Sequence, residues 1–398
     1  MTTEPTGLPQ PFNAEFFTDP YGGYARLRDA APVHRIALPD GSPVWLVLRE
    51  VDVRAGMTDR RLTVDKAHAG TGYTGFSLPP ALDANLLNMD HEDHRRLRRL
   101  VATAFTPRRV DELRESVERA AHLIADHISG SESVDLVNDF SVPLPLVVIG
   151  DLLDIPESAR RPFSEWVSNM LVPQSHTQVS ESVKAIHAFL VDLVSARRKS
   201  PGTDLLSGLI AARDHDDKLT EEEMVSLAFL LLMAGSENVQ HLISNGVHTL
   251  LQHQDQLEAV RSDPALLAPA VEELMRWGHP NHMAIRRFPI EPVRIGGTRV
   301  PAGDTVLFCL ASANRDPHRY SNPDDFNIHR EDKTHLALGH GPHFCLGASL
   351  ARMEVQGALH VLTARFPKLG LAAPDGELRW RASFRSRALQ ALPVNLGV

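Results

Sequence analysis

Cys345 lies in the run Leu338-Gly339-His340-Gly341-Pro342-His343-Phe344-Cys345-Leu346-Gly347 and is one of two cysteines in the chain. Gly339, Gly341 and Pro342 make a rigid loop with close backbone approach, and a helix is expected just after the cysteine. Backbone N–H groups of that turn and helix start would point at the sulfur. They would favour thiolate over thiol and tune the electron density that a thiolate ligand gives to a metal. A cysteine beside a turn, taken alone, is more often a buried inert side chain. Cys309, inside an apolar run, is read that way. His340, His343 and Cys345 also form three N/S donors within six residues, a set that could hold zinc.

Other chemistry-bearing groups are spread along the chain. Ala234-Gly235-Ser236-Glu237-Asn238 puts a carboxylate and an amide in the middle of an apolar stretch, with a glycine that costs about 1 kcal/mol relative to alanine in a helix. Glu273 and Arg276, three apart, would by themselves be an ordinary surface pair. Asp90 to Leu100 carries His94 and Arg98 four apart on one helical face. Arg95, Arg96, Arg98, Arg99, Arg108 and Arg109 form a basic cluster there, against a formal net charge of −9. Its plain reading is a solvated face. A local positive patch on an acidic chain would also steer an acidic protein partner.

The elements that must position these groups are mostly helical. Thr220 with Glu223 is a capping box, followed by Leu227 to Ala234, which is apolar on every face and therefore buried. Helical composition continues to about Leu251, so a helix of roughly thirty residues would span about 45 Å. Asp111 to Ile128 has an amphipathic helical pattern. Val33 to Ile36 and Val44 to Leu48 flank Pro39-Asp40-Gly41-Ser42 and read as a β-hairpin. A second β region is expected from Val293 to Phe308, and a long functional loop from Gly70 to Asn88. The expectation is a mainly α, single large helix-rich domain over 1–398, with small β-sheet regions and a long central helix. The 398 residues hold no apolar run of spanning length and no basic-then-apolar leader, and two cysteines make no disulfide framework. A cytoplasmic chain that binds neither nucleic acid nor membrane is expected.

The segment around Cys345 resembles the ligand loop of the cytochrome P-450 family, Phe-Gly-x-Gly-x-His-x-Cys-x-Gly, with Leu338 in place of the first Phe. Other segments are similar in the same order along the chain. Glu273-Leu274-Met275-Arg276 resembles the Glu-x-x-Arg helix. Asn314-Arg315-Asp316-Pro317, Asn322-Pro323-Asp324 and Phe326 resemble the meander, with Arg330 as a third member of the lock. The resemblance implies the cytochrome P-450 fold, a b-type haem with Cys345 as axial thiolate, and His94, Arg98, Arg286 and His343 around the haem propionates. His91-Glu92 stands where the family has two prolines, so the helix start is expected to differ. The stretch from Ala234 is similar to the oxygen-binding Ala-Gly-x-Glu/Asp-Thr. Gly235 would leave room for dioxygen, Glu237 would help deliver protons, and Asn238 replaces the usual Thr. An amide hydrogen-bonds but does not relay protons as a hydroxyl does, so the oxygen side is where this chain departs from its family.

That resemblance further implies a monooxygenase of the bacterial secondary-metabolism type, acting on a medium or large hydrophobic polyketide, macrolide or terpenoid. Electrons would come from a ferredoxin or flavodoxin through its reductase. Oxidative coupling or peroxide-driven turnover and a non-catalytic haem-thiolate ligand sensor are the alternatives. Phe76, Met170, Leu171, Met233, Met283 and Phe384 are expected to line an adaptable apolar pocket, with His176 and His282 as polar points.

Overall fold

Gly41 carries the turn of the first hairpin at φ +84°, a backbone conformation that glycine adopts without cost. Strands Val33–Ala37 and Pro43–Val47 pair antiparallel around it, with Val33 opposite Val47. In the computed structural model, which describes residues 7–70, 78–171, 175–216 and 219–397, the chain divides into two compact units. Residues 1–76, 245–345 and 373–390 form one, and residues 77–244, 346–372 and 391–398 the other. One boundary falls inside the central helix, between Ser244 and Asn245.

In the first unit the hairpin gains a third strand, Val306–Phe308, parallel to Pro43–Val47. The last strand of the second β region thus joins the first hairpin in one sheet. Val293–Ile295 and Thr298–Val300 form a separate hairpin. It turns at Gly296 and Gly297, φ +54° and +81°, both left-handed as a two-residue turn of this kind requires. Val47, Phe308, Val53 and Val300 make an apolar core under these strands. The helix Leu267–Gly278 belongs to this unit and buries Leu274, Met275, Glu273 and Arg276.

The second unit is built on the central helix, Glu221–Gln252, as far as Ser244. Its start is the capping box expected from the sequence: Glu223 accepts from the Thr220 N–H at 2.9 Å and donates its own N–H to Thr220 Oγ1 at 3.1 Å. Leu227 to Leu232 are buried in a core shared with Leu97, Ile149, Phe163 and Leu190. The helix Pro143–Leu152, with six of its residues buried, supplies part of that core. The Asp111–Ile128 pattern resolves into two helices, Pro107–Glu112 and Arg114–Ile128. The break falls at Leu113, after a short helix that Pro107 opens at its first position. Arg114–Ile128 packs on Ala348–Arg365 so closely that a Cβ on Gly357 would lie 3.2 Å from Val117 Cγ1. A three-stranded sheet of Ser133–Asp135, Pro393–Asn395 and Gly370–Leu371 closes this unit. The fold is mainly α with small sheets. Among the described residues no helix is long and apolar enough to cross a membrane.

Candidate active site

The Cys345 loop is braced from within. Gly339 and Gly341 have φ of +78° and +72°, values that L side chains rarely adopt. A Cβ on Gly341 would lie 2.7 Å from Thr58 Cγ2, so space as well as backbone demands glycine there. The loop is closed by the Cys345 N–H, which donates to the Leu338 carbonyl at 2.8 Å, and by the Phe344 N–H to Gly341 at 3.0 Å. The cysteine's own N–H thus serves the loop. Leu338 is buried and contributes the carbonyl that fixes the loop. The helix Ala348–Arg365 begins three residues after the half-buried Cys345.

Behind the loop's sequence lies a buried ionic lock. The Glu273 carboxylate accepts from Arg276 Nε and Nη2, both at 2.8 Å, and both side chains are about 1% exposed. Arg330 Nε donates to Glu273 Oε1 at 3.2 Å, and the Asn327 N–H at 3.0 Å. Arg276 also reaches the carbonyls of Asn314 and Pro323. Arg330 is therefore the third member expected from the sequence. Each charge is satisfied several times over, which a buried pair needs.

Arg286 and His343 also belong to the first unit. Arg286 rides on an extended segment held to strand Val306–Phe308 by Ala284 N–H to Phe308 and Arg287 N–H to Val306, each 2.9 Å. Its guanidinium lies 5.9 Å from the centre of the Phe288 ring. His343 sits half-buried in a short 3-10 turn, Gly341–His343.

In the second unit His94 and Arg98 lie on the helix His91–Ala102. His94 is 2% exposed, Arg98 half-buried, and Arg95 and Arg99 face solvent. The helix starts at His91 with φ +54°, a left-handed value that costs local strain. Arg96 leaves the basic cluster: it pairs with Glu223, whose carboxylate it reaches at 3.2 Å through Nη1. Arg108 is paired with Glu112 at 3.2 Å.

On the central helix Ala234 is exposed, and Met233, Gly235, Glu237 and Asn238 are half-buried, between buried flanks at 224–232 and 239–247. A Cβ on Gly235 would come within 2.9 Å of Ile149. The glycine thus has a packing reason that its sequence context did not reveal. The helix runs unbroken through this point, and the Asn238 amide bonds no protein group among the described residues. Glu237 Oε1 lies 3.1 Å from His241 Nε2, one turn further on. Sequence reasoning passed over His241; its spacing of four from Glu237 was the available signal.

The pocket residues behave individually. Phe76 and the His176 side chain lie outside the described residues. Met170 is core, Leu171 is exposed, and Phe384 stacks on Phe12 at 5.1 Å. Met233 and Met283 pack against apolar clusters. His282 is a core group and not a pocket lining, because it is buried and its Nδ1 lies 3.1 Å from Tyr24 Oη. Burial pushes the Cys309 thiol up to about 12, which fits the inert reading of that residue.

Burial also lowers His279 and His282 to about 3 each, with Arg387 and Arg315 adding repulsion at His282. An unfolded chain protonates these imidazoles below about pH 6.5. From there down to about 3 the unfolded state binds more protons, so stability falls as pH drops through that window. Lowering pH from about 7 to about 5 is expected to reduce the urea midpoint, and His282→Phe to make that fall shallower. Equal slopes in both proteins would remove His282 from the effect.

Zinc chemistry at this loop is not supported: among the described residues no three His, Cys, Asp or Glu side chains come together to hold a metal ion. What remains is a helix-rich scaffold with a glycine-braced cysteine loop and a buried Glu–Arg lock. A cytochrome P450 family model matches residues 149–368. Cytochrome P450 monooxygenase PikC of Streptomyces venezuelae is 42% identical over 383 residues, covering 96% of this chain and 92% of PikC. The 6-deoxyerythronolide B hydroxylase of Saccharopolyspora erythraea is 39% identical over 403 residues, covering 98% of this chain and 99% of the hydroxylase. The solved structure of tirandamycin C-bound P450 monooxygenase TamI matches with a TM-score of 0.91 at 40% identity, covering 96% of this chain and 99% of TamI. The chain belongs to the cytochrome P450 family and is a monooxygenase.

Membership implies a haem. The residues present fit it. Cys345 offers a soft anionic donor for iron. His94, Arg98, Arg286 and His343 are hydrogen-bond donors of the kind that carboxylates accept from. Ala234 is exposed at mid-length of the central helix, between buried flanks.

Proposed function

We infer that the chain inserts one oxygen atom from dioxygen into a medium or large hydrophobic natural product of polyketide, macrolide or terpenoid type. Electrons come from a ferredoxin or flavodoxin and its reductase, and the enzyme works in the cytoplasm. The observation that carries this reading is the Cys345 loop, with its two left-handed glycines and its closing bond to Leu338. Support for the substrate class comes from the relatives: one is named for 6-deoxyerythronolide B, and one solved structure holds tirandamycin C. Exposed Arg95, Arg99 and Arg109 offer the acidic electron carrier a positive face.

Bound to Cys345, a b-type haem supplies the redox chemistry that activates dioxygen. His94, Arg98, Arg286 and His343 would donate charge-assisted hydrogen bonds to its carboxylates. Ala234, exposed on the central helix, would face the oxygen, while Gly235 lets Ile149 pack close beside it. Glu237 holds or gives up a proton at its carboxylate, and Asn238 orients water or dioxygen through its amide. The proton itself comes from Glu237 or from a hydroxyl of the substrate.

The test uses purified enzyme with a ferredoxin and its reductase against a panel of polyketides, macrolides and terpenoids. A substrate that moves the Soret band toward high spin is expected to be converted to a product one oxygen atom heavier, with NAD(P)H consumed. Spectral binding across the panel with no NAD(P)H consumption or product would replace this reading with that of a ligand sensor. A second reading, peroxide-driven turnover, is favoured by one observation, the hydroxyl-free Asn238. Equal product with hydrogen peroxide alone would support it.

A further inference from the structure

We propose that His241 is the proton partner of Glu237, so that the two side chains hold and exchange a proton as one unit. The inference rests on the reading of Glu237 given above and names the residue through which that carboxylate is recharged. His241 is 2% exposed, yet its imidazole makes one strong polar contact, Nε2 to Glu237 Oε1 at 3.1 Å. Gln240 Nε2 lies 3.4 Å from the same ring nitrogen.

A carboxylate only accepts, so when Glu237 is charged it needs a proton on Nε2. With imidazolium and carboxylate, Nε2–H donates to Glu237. When that proton passes to Glu237 Oε1, the ring is left neutral with its hydrogen on Nδ1, and Nε2 accepts from the carboxylic acid or from Gln240. Both states are net neutral, so the transfer leaves the charge of a buried site unchanged, where an isolated carboxylate would have to gain or lose charge in a poor solvent. After Glu237 gives its proton onward, a proton from water restores the imidazolium.

The surroundings fit a water supply. His241 Nδ1 and Gln240 Oε1 are buried without a partner among the described residues, a cost of about 1–3 kcal/mol each unless water meets them. A small polar cleft lies beside the pair, lined by Ser164 and Ser168 of the helix Glu157–Leu171 and by Ser236, Glu237 and Gln240. Ser236 Oγ is already committed to the Leu232 carbonyl at 2.8 Å. The two α-helical serines and Gln240 supply the several polar contacts that an ordered water needs. Acting through Glu237, His241 is a positioning residue for the proton.

The experiment compares the haem-loaded wild-type enzyme with His241→Phe, His241→Gln and Glu237→Gln, reading product formed per NAD(P)H consumed and the substrate-induced Soret shift. His241→Phe keeps the ring's bulk, and His241→Gln keeps an N–H near Nε2 but carries no proton. Both are expected to lower coupling about tenfold with the Soret shift retained. Wild-type coupling in His241→Gln would overturn the proposal, since holding Glu237 in place would then suffice.

A second measurement does not depend on turnover. With 15N-labelled histidine in the diamagnetic ferrous carbonyl form, the His241 nitrogen resonances, assigned by their loss in His241→Gln, are expected to move in Glu237→Gln. Unmoved resonances would also overturn it. Failure of the underlying reading looks different: Glu237→Gln would then couple like wild type while the resonances still moved.

Discussion

Cys345→Ser is expected to abolish oxygen insertion while the chain still folds. The hydroxyl occupies the same place in the loop, and the closing bond from residue 345 to Leu338 is a backbone bond that the change does not touch. What is lost is the anion. A thiol ionises near neutral pH when donors surround it, whereas a serine hydroxyl stays protonated and gives a metal little electron density. The reduced enzyme under carbon monoxide should lose the red-shifted Soret band of thiolate ligation, and product formation should fall to background. Cys309→Ser serves as the comparison: its thiol is buried, with a pKa near 12, and the band should stay in place. A thiolate-type band in Cys345→Ser would remove the cysteine from the iron.

Glu273→Ala should have the largest effect on stability. The substitution leaves the Arg276 guanidinium, about 1% exposed, with its carboxylate partner gone, and strips Arg330 and the Asn327 N–H of the same acceptor. Removing one member of a buried pair costs about 3–5 kcal/mol, because the remaining charge is neither solvated nor compensated. A loss of that size is a large share of a typical folding free energy, so urea unfolding should show a much lower midpoint and purified protein should carry less haem. Glu273→Gln, which keeps the shape and one acceptor oxygen, should fall between. A midpoint within experimental error of wild type in Glu273→Ala would mean that the lock carries no net stability.

How far the sequence reached depended on how local each feature was. The Cys345 loop could be read because its glycines, proline and cysteine fall within ten consecutive residues, and the backbone strain that demands glycine is a property of the segment itself. The capping box at Thr220 is local in the same way. Gly235 looked like space left for a ligand, and nothing around it could reveal that Ile149 closes on it from another helix. His282 looked like a pocket group because a sequence does not state burial, and only packing against Tyr24 places it in the core. The sheet formed by residues 133–135, 370–371 and 393–395 was invisible, since strands of two or three residues are too short for alternation to show. His241 was within reach by spacing, but a histidine one turn from a glutamate is common enough on helix surfaces to pass unremarked.

Glu223 has a consequence for motion within the second unit. The same carboxylate caps the start of the central helix through the Thr220 N–H and holds Arg96 on the helix that carries His94 and Arg98. Its charge is kept despite partial burial, because Arg96 and Thr220 outweigh the desolvation that would otherwise protonate it. In mechanical terms it is a shared pin. The first turn of one helix cannot fray without loosening the other, so the end of the central helix and the segment bearing His94 and Arg98 open together as one cooperative piece.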